Sequence, residues 1–554
     1  MPAIPKSSVG ASLGSRVQTQ RAFLNQTDPK LAPMVNTSTS PRAIWASVGE
    51  YLIPDTGSSQ TTDQFFATRV RTRLSGGRWA AIAPIFMGSY FVNQRSPIGV
   101  TSVPPYTCSF TLELANGTQT SDYASPNTGG TLVAGTFNGA TDGIVRGGDI
   151  VVGDFIYANS VGLQHFIWTD RNLLPWIRVA YAKSSAADIL GAITQTEFNF
   201  PNNSHYATCT SYTIAKALIA TSGINSYNAG NNFWGASDSQ TLPSCIGFIG
   251  IGLDGQKAVV FFGTSILDGD GSSGFMQGGV NPSNNVPANY NLMGYPCAWA
   301  QHLSRSTAVL NLGVGASAMW RDWSNNATDL SWSTNESRTL ARYCFAKIAS
   351  WFDVCVAHDV HNDGFSSSTY SEVLKNFTDV IRESNPSLKL ISCRVPNGYI
   401  DISGSTVAYD SSLDVRWATQ DQMVVNGYWD RAISVRESGD NKFPDLGIQV
   451  SSTTTALGTA TSLVDSGATW LQNQWVNSWV KIGGVKKLIS SNTRTQLTFG
   501  AYGSAIVTGT PYTIEGNCSH DGLHPSTVGQ FRMGDNFDTA IQAVITIPKF
   551  VRTA

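Results

Sequence analysis

At 554 residues the chain has room for roughly three or four domains, and 42% hydrophobic residues supply material for sizeable cores. Charged residues make up only 13% and the formal net charge is −2, which excludes strong electrostatic steering toward nucleic acid or an anionic membrane. The polar surface must instead be rich in Gly, Ser, Thr and Asn, a composition that suits secreted proteins and virion fibres.

Residues 1–44 are rich in Ser, Thr, Pro and Gln, carry little periodicity, and read as a tether or attachment segment. They lack the apolar core of a secretory signal peptide. No run of about 18 apolar residues occurs, so no membrane span is expected. If the protein acts outside cells, it must leave by another route, such as lysis. The cysteines at 108, 209, 245, 297, 344, 355, 393 and 518 are scattered, several in apolar stretches. That spacing reads as buried free thiols rather than a disulfide framework.

From 45 to 250 the signal is β. Residues 66–74 and 108–114 alternate with period two, Trp176 to Tyr181 is a further strand candidate, and Gly-rich turns such as Gly147-Gly148 separate such runs. The expectation is a jelly-roll-like β-sandwich, serving either as a structural spacer and oligomer contact or as a glycan-binding accessory.

From 251 the pattern changes. The apolar run Ala258 to Phe262, closed by Gly263, reads as a buried parallel strand ending in a tight turn, which would expose Ser265 at the carboxyl edge of a sheet. Ala308 to Leu312 and Val354 to Ala357 are further apolar runs. Helical spacing joins Leu340, Cys344, Phe345, Ile348 and Trp351, and then Tyr370, Val373, Leu374, Phe377, Val380 and Ile381. Asn385-Pro386 stops the second of these helices, and Leu388 to Ser392 can return as a strand. Such alternation implies a parallel sheet covered on both faces.

Residues 446–516 form a second β-rich stretch, expected to be a small inserted module in which Trp470, Trp475 and Trp479 either stack on sugars or fill the core. Beyond it, residues 517–554 contain Asp521-Gly-Leu-His524-Pro525 before a final helix. A serine hydroxyl needs a base within hydrogen-bond reach and a third group to orient that base. Ser265, His524 and Asp521 are those residue types. His520 adjoins Asp521 as a rival base. His358-x-x-His361, with Asp359 and Asp363, is too tightly spaced for the helical zinc motif, whose histidines are at i and i+4. No metal or other cofactor is expected.

These segments resemble the SGNH hydrolases, the superfamily of GDSL-type esterases and lipases. The nucleophile block is matched by Gly263-Thr264-Ser265-Ile266-Leu267-Asp268-Gly269 and the second block by Ala308 to Ala316. Val360-His361-Asn362-Asp363 matches the third block and Asp521 to His524 the fourth. Thr264 stands where the family has aspartate, Val360 where it has glycine, and Gly313 and Gly315 compete in a compressed second block, with Gly315 favoured. The resemblance covers about residues 256–445 and 516–545. It implies a flavodoxin-like three-layer α/β domain, with five parallel strands, interrupted by the 446–516 module. It also implies a Ser265–His524–Asp521 triad and an oxyanion hole of the Ser265 and Gly315 N–H groups with the Asn362 amide. The implied reaction is deacylation of an ester. An O-acylated, foremost O-acetylated, glycan such as a bacterial surface polysaccharide is the expected substrate, with the protein outside the cell or on a virion surface, in the manner of phage tail-fibre enzymes. Homo-oligomerisation or virion attachment would use the N-terminal region. The rival readings are a lipase or thioesterase of the same fold and a glycan-binding fibre protein with a decayed site.

Overall fold

The computed structural model describes residues 43–50, 64–71, 75–87, 91–92, 96–97, 105–114, 131–146, 150–167, 176–183, 192–193, 204–221, 242–243, 245–263, 265–268, 294–302, 307–313, 348–358, 367–395, 412–436, 448–470, 474–476, 478–516, 525 and 527–548. The expected 1–44 tether lies almost wholly outside these, as does the first of the two expected helices apart from its end, Ile348 to Trp351.

Two six-stranded antiparallel sheets occupy the N-terminal half, beside two short two-stranded ones. One has the order Ala43–Trp45, Gly247–Gly252, Arg78–Met87, Ile150–Val152; the other runs Ser204–Cys209, Gln64–Arg71, Trp176–Lys183, Tyr106–Leu114, Thr131–Ala134. Their facing side chains share one core, in which the Phe86 ring lies 5.9 Å from that of Phe110. Period-two alternation along Tyr106–Leu114 is present, yet its polar face is buried as well. A helix, Tyr212–Ala220, covers that second sheet, seating Ala215, Leu218 and Ile219 on Ala67, Ala180 and Ala207. Ser211 caps its N-terminus, accepting from the Ile214 N–H. Beneath lie Arg178 and Glu113, paired at 2.8 Å with both side chains almost wholly buried.

The catalytic-domain candidate is a six-stranded parallel sheet. Its strands are β1 (Val48–Glu50), β2 (Lys257–Gly263), β3 (Thr307–Gly313), β4 (Val354–Ala357), β5 (Lys389–Arg394) and β6 (Arg431–Ser434). They are arranged β1-β3-β2-β4-β5-β6, and every pairing is parallel. The five strands expected from the family are β2 to β6, in the order 2-1-3-4-5 of a doubly wound sheet. The sixth, β1, comes from the N-terminal segment and pairs outside β3, because the chain passes through Ala46 and Ser47 from the antiparallel sheet directly into the parallel one.

The expected boundaries lie at 44/45 and 250/251. Ala43–Trp45 pairs with Gly247–Gly252, so both points fall inside strands of one sheet. The two halves also share a single hydrophobic core, where Trp45 stacks on Phe352 at 5.6 Å.

Helices cover both faces of the parallel sheet, as consecutive side chains on β2 show. The helices are α1 (Ser265–Asp268), α2 (Gly294–His302), α3 (Ser367–Ser384), α4 (Ser412–Val425) and α5 (Thr527–Ile541). Phe261 points to α2 and α5, with ring centroids 5.9 Å from Tyr295 and 5.1 Å from Phe537. Phe262 points the other way, to Phe377 of α3 at 5.2 Å. Because strand side chains alternate, this makes three layers. Along α3 the expected Tyr370, Val373, Leu374, Phe377 and Ile381 form the buried stripe.

The inserted module is a seven-stranded antiparallel sheet between Ile448–Thr453 and Pro511–Glu515. Ile448–Thr453 and Ala456–Thr459 lie at opposite edges of it. Only two residues join these strands, a span of at most about 11 Å, so the sheet curls around its own core. Trp470 and Trp475, 9% and 5% exposed, are in that core, Trp470 edge-on to Tyr512. Their rings offer no free face, which corrects the sugar-stacking expectation for both. Trp479 is half-buried.

Candidate active site at the carboxyl edge of the parallel sheet

In doubly wound sheets ligands bind outside the carboxyl ends of the strands, where successive connections leave in opposite directions. That crevice lies here between β2 and β4, the strands that precede Ser265 and Asn362. Three strand ends are level with one another. Gly263 of β2 is in register with Gly313 of β3, and on the other side the His358 N–H, just past β4, donates to the Phe262 carbonyl at 2.9 Å. Ser265 follows Gly263 by two residues and opens α1. Gly315 follows Gly313 by two, and Asn362 follows His358 by four. Gly315, Asn362, Asp521 and His524 lie outside the described residues, together with His361 and His520. Gly313, the rival oxyanion donor, is the last residue of β3.

The turn that begins at Ser265 is held firmly. Ile266 and Leu267 are fully buried. Gly263 is required for this packing, because a Cβ there would sit 2.2 Å from the Leu267 Cδ1. The Leu267 carbonyl accepts from the Asn311 side-chain amide of β3 at 2.6 Å, and the Ile266 carbonyl accepts from Gln530 Nε2 of α5 at 3.0 Å. Gln530 lies in the first turn of α5, so the helix that follows the Asp521–His524 segment bonds directly to the turn that begins at Ser265. The same helix start joins the inserted module, since Val528 packs in the module's core.

Neighbouring nucleophiles are disabled by burial. Desolvation pushes the Cys393 thiol on β5 up to about 12, with Tyr295 beside it at 3.5 Å, and burial raises Cys355 on β4 well above the usual thiol range. Both remain protonated thiols at neutral pH, and the thiolate is the reactive form. His358 is also fully buried, packed beside the β2 turn with its ring 6.0 Å from that of Tyr295. Among the described residues no group of three His, Cys, Asp or Glu side chains gathers to hold a metal ion, and no helix is long and apolar enough to cross a membrane.

Asn311 and Gln530 were not singled out from sequence. Each is a polar residue at an apolar position: Asn311 interrupts the run Ala308 to Leu312, and Gln530 shares a helical stripe with Met533, Phe537 and Ile541. That interruption was the available signal.

No family model matches the sequence, and no curated protein matches it. Solved structures do. A protein described as a GDSL-like lipase from Bacteroides ovatus is 11% identical, with 88% of this chain and 86% of that one covered at a TM-score of 0.27. An active-site mutant of a family two carbohydrate esterase from Clostridium thermocellum is 10% identical, with 91% and 98% covered at 0.28. A salicylyl-acyltransferase from a tetracycline biosynthetic pathway is 10% identical, with 87% and 82% covered at 0.25. Superpositions this loose fix neither fold nor chemistry, which rest on the strand order and the strand ends. Proteins described as GDSL-like lipases and carbohydrate esterases are nonetheless among the solved structures to which this chain is similar.

Proposed function

We propose that this protein is a serine esterase of the SGNH type that removes O-acyl groups, foremost O-acetyl, from a carbohydrate. The observation that carries the reading is the hydrogen bond from Gln530 to the Ile266 carbonyl. It joins the helix entered from His524 to the turn begun at Ser265, although the two segments are far apart in sequence.

In this reading the Ser265 Oγ attacks the ester carbonyl carbon while His524 takes its proton. Asp521 holds the imidazole in the required tautomer. The carbonyl oxygen becomes an oxyanion, met by the N–H groups of Ser265 and Gly315 and the Asn362 amide. Collapse expels the sugar alkoxide, which receives the proton from His524, and leaves an acyl-Ser265. Water, deprotonated by His524, then releases the acid and restores the serine. The carbohydrate assignment rests on the low charge and on the Gly-, Ser- and Thr-rich β domains that flank the hydrolase, a composition suited to work outside the cell or on a virion surface.

Acetate release from a panel of acetylated polysaccharides tests this. Ser265→Ala should abolish release with an unchanged melting temperature, and His524→Ala should lose about 10²–10⁴-fold or more. Activity should fall in acid, because only neutral imidazole accepts the Ser265 proton. Wild-type-like turnover by Ser265→Ala sinks the proposal.

A further inference from the structure

α1 is a single turn. The carbonyls of its buried residues Ile266 and Leu267 each accept from a side chain on a distant element, and a buried carbonyl needs such a donor. Leu267 finds it on β3, within the rigid sheet, through Asn311. Ile266 finds it on α5, through Gln530. The acceptor fixes which end of the Gln530 amide is the NH₂ group. Its other end, Oε1, is fully buried and has no hydrogen-bond partner among the described residues. Burying an amide oxygen unpaired costs about as much as one hydrogen bond returns, so stability alone gives this glutamine little purpose. An apolar side chain of the same size would suit the Met533, Phe537 and Ile541 stripe better.

We infer that Gln530 is a positioning residue for the reaction proposed above, on which this inference rests: its amide locks the Ser265 turn to the start of the helix that follows His524 in sequence. It touches neither substrate nor the reacting atoms. It sets the distance between nucleophile and base by fixing one helix against one turn. Displacements near 1 Å in such a pairing cost about 100-fold in rate.

Kinetics on a small acetyl ester test this, with each variant assayed well below its own melting temperature so that all enzyme is folded. Gln530→Leu should lower kcat about 10- to 100-fold while KM stays within about threefold, and should slow labelling of Ser265 by a fluorophosphonate in proportion. Gln530→Glu supplies a second readout, and carries the test if Gln530→Leu does not fold. A carboxyl can donate to the Ile266 carbonyl only when protonated, so this variant should show a new alkaline limb in kcat/KM over a range where its melting temperature is flat. A merely structural glutamine would leave kcat of folded Gln530→Leu within about twofold of wild type and add no limb; either result overturns the inference. Ser265→Ala run alongside separates the failures. If Ser265→Ala stays active, the esterase reading fails; if it is dead while folded Gln530→Leu is fully active, only the positioning role fails.

Discussion

Replacing Gly294 with alanine should cost the protein stability and, on the esterase reading proposed above, turnover. Gly294 opens α2 with φ +68°, and a Cβ there would lie 1.9 Å from the Leu267 carbonyl oxygen and 2.7 Å from its carbon. The left-handed backbone costs a non-glycine residue about 1–2 kcal/mol. Relieving a clash with main chain, rather than with a flexible side-chain tip, adds about 1–3 kcal/mol. Gly427 supplies the control: its φ is +75°, but a Cβ would meet nothing within 4 Å, so Gly427→Ala carries the backbone cost alone. Because the two halves share one hydrophobic core, the folding unit holds roughly 400 residues and each kcal/mol moves the melting temperature by about 1 °C. Calorimetry should therefore show a fall of about 2–5 °C for Gly294→Ala against about 1–2 °C for Gly427→Ala. The atom struck belongs to the turn that begins at Ser265, so Gly294→Ala should also lose ester turnover at temperatures where it is fully folded. Equal melting shifts in the two variants, with full turnover in both, would refute the packing argument.

Arg178→Met should destabilise by about 3–5 kcal/mol by stranding Glu113 beneath the helix Tyr212–Ala220. The double variant Glu113→Leu/Arg178→Met should recover most of that loss, and thermal melts that place the single variant no lower than the double count against it. In the inserted module burial works against the charge of Asp465, but the Tyr512 and Ser452 hydroxyls and the Gly467 and Ala468 N–H groups outweigh it and hold the carboxyl below the usual range. With the folded value depressed, its stabilisation is present above the unfolded pKa and is lost as pH falls through the folded one. Amide exchange within 448–515 should therefore quicken below about pH 4 in the wild type, whereas Asp465→Asn should remove that acid step; an identical acid step in both excludes Asp465 as its source.

How much of this was legible in the sequence depended on whether the signal was local. Ala258 to Phe262 identified the central strand, and its unbroken apolar run implied burial, which the opposed contacts of Phe261 and Phe262 bear out. Ser265 could be located because a strand end is a local event. Burial of both faces of Tyr106–Leu114 was not legible, because nothing in those residues reports the helix Tyr212–Ala220, whose Tyr212 hydroxyl reaches Ser109 from about a hundred residues away. β1 is too short to show any periodicity, and its place is fixed by register with β3 rather than by its own residues. Asn311 and Gln530 look like flaws in apolar patterns until their acceptors, the two carbonyls of α1, are known.

The shortness of β1 has a consequence for solubility. Without it, β3 would present its full seven-residue length, Thr307–Gly313, as the rim of the parallel sheet. A long, flat, apolar rim is a template on which another chain can add a strand. β1 covers the middle of that rim, and its own described length is three residues, Val48–Glu50. At the far side β6 has four residues, and the Arg431 guanidinium there reaches across to the Ala543 carbonyl beyond α5. Among the described residues neither margin of the parallel sheet offers a long rim for open-ended strand-to-strand stacking.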